Sequence, residues 1–268
     1  MSRISDLFAR LKQENKRGLI AYITAGDPSP ERPPALIEAL ERGGADLIEL
    51  GVPFSDPVAD GPVIQLACDR ALAAGTTLKK VLEIARKVRQ RSQIPLLLFS
   101  YLNPLLRYGF DALAVDATAS GIDGCLITDL SVEEAADSVA RLRAAGLDTV
   151  FLAAPTSTER RLRLIAEYST GFVYLVSRTG VTGERDTLSA SVQPLVESMR
   201  KVTSTPLAVG FGISRPEHAV EAGRLADSVV VGSAFVRTIE RNLATGNAEA
   251  ELEKLTSDLK QALERGQA

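Results

Sequence analysis

Short apolar runs recur along the chain, and each is followed by a stretch in which apolar residues return every three or four positions. The runs cover residues 19–24, 46–50, 95–100, 123–128, 148–153, 172–176, 206–210 and 228–231. Several are near-continuously apolar, the pattern of parallel strands covered on both faces. The intervening periodicity predicts helices over 35–41, 132–144, 159–168 and 192–202. Gly43-Gly44 and Ala145-Gly146 supply the stop signals expected of helix C-termini. The widest gap, between the second and third runs, holds two helical stretches, 63–73 and 78–91, and so is an insertion rather than a lost strand. Ile4, Leu7, Phe8 and Leu11 predict an amphipathic helix at the start of the chain. Residues 234–242 and a stretch built on Leu252, Leu255, Leu259 and Leu263 predict two more near its end.

Eight strand–helix units in alternation, with no low-complexity linker, predict an α/β fold. The expected architecture is a single (β/α)8 TIM barrel, one domain over residues 1–268, with extra N-terminal, inter-strand and C-terminal helices. An open doubly wound sheet is the alternative, and it would lack the regular count of eight. In such a barrel the active site lies at the C-terminal ends of the strands. Glu49, Asp60 and the loops at 180–183, 210–214 and 232–233 all fall on that side.

Glu49 breaks the second apolar run near its end, and a loop punctuated by Pro53, Pro57 and Gly61 returns a second acid, Asp60, towards it. A carboxylate inside a strand is costly to bury unpaired, so it either has a structural partner or is held for chemistry. Two acids in unlike environments suit general acid–base work. The bland readings stay open: Glu49 paired with an arginine, Asp60-Gly61-Pro62 simply opening a helix, Asp56-Pro57 a turn.

Three late loops look shaped for an anion, at 177–183, 210–214 and 232–234, the last two read as opening helices. Glycine permits close backbone approach, and free N–H groups at a helix start attract phosphate. With no Lys/Arg cluster legible there, the phosphate would be held mainly by backbone donors, helped by Ser233.

The 268 residues carry 31 basic and 34 acidic side chains, net charge −3, interspersed without a basic block. This argues against nucleic acid and membrane surfaces as partners. No stretch approaches the length of a membrane span and no signal peptide is apparent. Cys68 and Cys125 lack metal-ligand spacing and read as buried thiols of a soluble, cytoplasmic protein. His218, the one histidine, reads as a helical surface residue, so a histidine-held metal is not expected. No lysine falls on a predicted strand, which closes a Schiff-base route. Gly210-Phe211-Gly212 lacks the third glycine of a dinucleotide fingerprint. Carboxylate chemistry without a cofactor remains.

At these residues the chain resembles the tryptophan synthase α-subunit family. The likeness lies in the stretch from Glu49 to Gln65, in Tyr101-Leu102-Asn103-Pro104, in Ala154-Pro155-Thr156-Ser157, from Ser177 to Gly183 and from Gly210 to Ser214. It implies retro-aldol cleavage of indole-3-glycerol phosphate to indole and glyceraldehyde 3-phosphate, a step of tryptophan biosynthesis. By position, Glu49 would be the acid–base residue and Asp60 would stabilise positive charge at the indole nitrogen. Tyr22, Tyr174, Thr182, Gly183, Phe211, Gly212, Gly232 and Ser233 would bind substrate and phosphate. Tyr22 stands where many relatives carry Phe, and Ser131 where they carry Pro. The resemblance also implies docking on a PLP-dependent β subunit in an α2β2 complex, through loops carrying Asp56, Pro57, Asn103 and Ser131, with no cofactor in this chain. A stand-alone lyase and an inactive regulatory barrel are the other readings; intact Glu49 and Asp60 argue against the last.

Overall fold

The computed structural model describes residues 2–176, 188–210 and 212–266. Eight parallel strands close into a barrel in strict chain order, each paired with its sequence neighbours and the last with the first. They are β1 (Gly18–Thr24), β2 (Leu47–Gly51), β3 (Leu96–Ser100), β4 (Gly124–Ile127), β5 (Asp148–Ala153), β6 (Val173–Val176), β7 (Leu207–Gly210) and β8 (Ser228–Val231). The eight apolar runs therefore map one to one onto strands, with ends shifted by at most one residue.

Side chains alternate across each strand, and the two faces build two cores. One set, including Leu19, Ile48, Leu98 and Val229, packs outward against the helices. The other, including Ile20, Leu47, Leu97, Val150 and Val230, fills the barrel. The first helix, α1 (Arg3–Gln13), closes the floor with Ile4, Leu7, Phe8 and Leu11, and Phe8 lies 5.8 Å from Phe172 between ring centroids. Two residues further along β1, β2, β3 and β6, on the same inward face, come Tyr22, Glu49, Phe99 and Tyr174. The period of two thus lifts these four to the open, C-terminal end.

The helices between strands follow the periodicity with instructive departures. Helix α2 (Pro33–Arg42) follows β1, the insertion holds α3 (Pro62–Ala73) and α4 (Leu78–Arg89) as expected, and α8 (Glu159–Tyr168) and α9 (Leu188–Arg200) come after β5 and β6. Residues after β3, read as a loop around Asn103-Pro104, instead form α5 (Leu102–Tyr108) and α6 (Phe110–Ala119), divided by Gly109 at φ +89°. Pro104 is the third helical residue, where the amide N–H has no partner within the helix anyway, so proline is tolerated. The helix expected over 132–144 splits into a 3-10 turn, Val132–Glu134, and α7 (Ala136–Ala144). The tighter turn lets Val132, Ala135 and Val139, spaced three then four apart, all face inward. The loop from Gly210 does not open a helix at once: α10 (Pro216–Gly223) starts beyond Arg215. Gly232, by contrast, is the N-cap residue of α11 (Ser233–Arg241), as expected. Among the described residues no helix is long and apolar enough to cross a membrane.

Candidate active site

A cavity of about 690 Å³ opens at the C-terminal end of the strands and brings Tyr22, Glu49, Asp60, Tyr174, Gly212, Gly232 and Ser233 onto one wall system. Seven residues singled out in the sequence therefore converge. Thr182, Gly183 and Phe211 lie outside the described residues, as does the 177–183 loop.

Glu49 is only 1% exposed. Among the described residues no arginine reaches it, and its Oε1 is out of water without a hydrogen-bond partner. Within those residues the structure gives no support to the ion-pair reading. Burial alone lifts its carboxyl from 4.5 to about 8, because the charged form has lost its hydration. Burial therefore favours the protonated carboxyl of Glu49 at neutral pH.

Asp60 is half-buried in the loop between β2 and α3. Burial raises its carboxyl, and a hydrogen bond from Tyr101 opposes that rise. The Tyr101 hydroxyl donates to Asp60 Oδ2 at 2.9 Å and accepts from the Ala59 N–H at 3.0 Å. Its ring packs on Phe54 at 5.2 Å, so three contacts from one side chain set the path of the acid's loop. Asp60 does not cap α3; Gly61 is the N-cap residue and Pro62 the first helical one. The two acids thus sit in unlike surroundings, one apolar and one polar.

Aromatic side chains line the cavity beside the acids. Tyr22 meets Phe99 edge-on, 5.2 Å between centroids at 75°. The Tyr22 hydroxyl finds Thr24 Oγ1 at 3.4 Å, and it fits only because position 51 is glycine: a Cβ there would lie 2.3 Å from it. Gly210 makes the same room for Tyr174, whose hydroxyl would be 2.1 Å from an added Cβ. Gly212, at φ +76°, supplies a left-handed turn at the rim. Behind the wall, Arg70 of α3 forks onto Asp27 at 2.7 and 2.9 Å and reaches Glu240 of α11 at 3.1 Å. This ties the loops after β1, β2 and β8 together.

Several lining residues were not singled out in the sequence. Phe99 was legible from strand alternation, two positions beyond inward Leu97. Ile64 sat within a motif that carried the resemblance, as did Tyr101, which holds Asp60 from behind the cavity wall. Arg215, Arg237 and Arg241 also line the cavity, which corrects the expectation that no arginine cluster accompanies the phosphate loops. His218, read as a surface residue, is half-buried in α10 with Nδ1 unpartnered. Cys68 and Cys125 are buried as expected, and desolvation pushes their thiols up to about 11 and about 12. Among the described residues no group of His, Cys, Asp and Glu could hold a metal ion.

Asp56 and Asn103 are exposed, and Pro57 and Ser131 partly so, on loops and helix starts around the same rim. Asn103 lies in the first turn of α5 rather than in a loop.

A closed parallel barrel with a neutral buried glutamic acid, a second carboxylate on a loop and a glycine-lined helix start beside an aromatic slot defines an acid–base barrel enzyme. Comparison with known proteins gives the particular family. The family model described as "Tryptophan synthase alpha chain" matches residues 8–264, and the chain belongs to that family. It is 66% identical over 260 residues to the tryptophan synthase alpha chain of Solibacter usitatus, covering 97% of each. Among solved structures it is similar to the tryptophan synthase alpha chain of Legionella pneumophila, with a TM-score of 0.91, 35% identity, and 99% and 98% coverage of the two chains. It is also similar to a chain of the tryptophan synthase a2b2 complex from Pyrococcus furiosus, with a TM-score of 0.85, 40% identity, and 91% and 98% coverage.

Proposed function

We propose that the chain cleaves indole-3-glycerol phosphate to indole and glyceraldehyde 3-phosphate, as the lyase component of tryptophan synthase. The observation that carries this reading is the neutral, unpartnered carboxyl of Glu49 facing an aromatic slot shared with Asp60. The C–C bond to the ring breaks only after ring carbon C3 has been protonated. Glu49 supplies that proton. The ring then becomes a cationic indolenine, and the Asp60 carboxylate beside the ring nitrogen stabilises it. Glu49, now an anion, takes the proton from the glycerol hydroxyl next to the breaking bond. The bond electrons return to the ring, restoring indole, and the aldehyde leaves with its phosphate. Protons balance, and one side chain serves both transfers.

The ring lies between Tyr22, Phe99 and Tyr174, and the phosphate at the start of α11, with Gly232 and Ser233 offering N–H groups and the helix dipole. Gly212, Thr182, Gly183 and Phe211 complete the binding set by family position. Single-turnover indole release tests the roles. Asp60→Asn should lower kcat far more than it raises KM, because the charge is needed mainly in the transition state. A loss confined to KM would make Asp60 a binding residue instead.

The rim carrying Asp56, Pro57, Asn103 and Ser131 docks a β subunit, which holds the PLP and receives the indole. Val58, 85% exposed, and Leu106, 56% exposed, give this rim the apolar anchors a docking surface needs. The assembly is cytoplasmic, as a biosynthetic enzyme of this kind requires.

A further inference from the structure

We propose that Arg215, Arg237 and Arg241 form a cationic wall that captures dianionic phosphate monoesters and guides them to Gly232 and Ser233. The inference rests on the reading above that the cavity takes a phosphorylated substrate, and it assigns side chains outside the backbone cradle.

Ser233, Arg237 and Arg241 lie four residues apart along α11, so they form one stripe of the helix, and all three line the cavity. At about 1.5 Å of rise per residue, Arg237 stands roughly 6 Å and Arg241 roughly 12 Å beyond Ser233. Arg215, the N-cap residue of α10, lines the same cavity from the neighbouring loop. Among the described residues none of the three pairs with a carboxylate. Beside Arg241, Glu240 is engaged with Arg70 at 3.1 Å, and Glu249 further on is engaged with Arg32 at 2.9 Å. Three guanidinium groups on one cavity wall, with no carboxylate partner among the described residues, concentrate positive charge there.

Such a field answers a need. The chain's net charge is −3 and Asp60 stands in the cavity, so the long-range force on a dianion is otherwise repulsive. Backbone N–H donors act only at contact. A wall reaching outward from the cradle attracts over a Debye length, about 10 Å at 0.1 M salt.

The test is equilibrium binding of glycerol 3-phosphate to the intact chain over a salt series, with indole as a neutral probe. Replacing the three arginines together (Arg215→Gln, Arg237→Gln, Arg241→Gln) should weaken glycerol 3-phosphate about fivefold at 0.1 M salt, from screened Coulomb attraction at these distances. The difference should vanish near 1 M, and the triple lysine variant should restore most of it. Indole affinity should hold, which also reports an intact fold. An unchanged dissociation constant and salt slope in the triple glutamine variant would overturn the wall while leaving the phosphate cradle standing. Equal losses for indole and glycerol 3-phosphate would overturn it too. Failure of the unaltered chain to bind glycerol 3-phosphate would remove the phosphate reading and this inference together.

Discussion

Glu49→Gln should slow catalysis severely and stabilise the protein, and the size of the second effect follows from the site. In the folded chain the carboxyl titrates near 8, against 4.5 for an unperturbed glutamate. Between those values the folded state keeps a proton that the unfolded chain has released. Stability from this group is therefore fully present below 4.5 and is lost as pH rises through about 8. At about 1.36 kcal/mol per unit, the loss reaches about 3 kcal/mol at pH 7 and nearly 5 kcal/mol (about) above pH 8. Glutamine has almost the same shape and no charge at any pH, so it escapes the loss. The variant and the parent should match near pH 4, and the variant should lead increasingly as pH rises. Urea unfolding followed by far-UV circular dichroism at several pH values measures this directly. The chain contains no tryptophan, so indole release is followed by fluorescence against a weak background. The same variant should release indole roughly 10² to 10⁴ times more slowly, the usual contribution of a general acid–base group. Parallel pH–stability curves for the two proteins would refute the claim that Glu49 is held neutral by burial.

Three further outcomes are expected. Gly232→Ala places its Cβ 3.5 Å from Tyr22, an ordinary contact, so the fold should hold while the phosphate cradle is crowded. Glycerol 3-phosphate should then bind about 10-fold or more weakly, as for loss of one charged hydrogen bond, with indole unaffected in the same titration. Arg70→Ala leaves Asp27, 1% exposed, without its forked partner and should cost about 3 kcal/mol in urea unfolding. A cost under about 0.5 kcal/mol would show that the clamp is dispensable. Finally, if docking and the substrate cavity are coupled, glycerol 3-phosphate should tighten β-subunit association about 5-fold or more in a calorimetric titration. An affinity unchanged by the ligand, together with full activity of the isolated chain, would favour a stand-alone lyase.

The eight strands, the closed-barrel class and the anomaly of a carboxyl at Glu49 were legible in the sequence, because each depends on local pattern. A strand buried on both faces must be apolar throughout, so a glutamate within residues 46–50 announced itself as an exception. The glycines at 51, 210 and 232 were visible too, although what 51 and 210 make room for, the hydroxyls of Tyr22 and Tyr174, was not. Helices α5 and α6 escaped notice because Asn103-Pro104 and Gly109 look like turn residues, and only the position of Pro104 within the first turn makes it compatible with a helix. The remaining features depend on contacts between residues far apart in the chain. Tyr101 holds Asp60 from 41 residues away. Arg70 clamps Asp27 and Glu240 across separations of 43 and 170. Arg215, Arg237 and Arg241 carry no marker of a site in the sequence; only the closed barrel brings the start of α10 and one stripe of α11 to the same cavity. Periodicity states which way a side chain faces; only the closed sheet, by setting each strand's height and each helix's neighbour, decides what it faces.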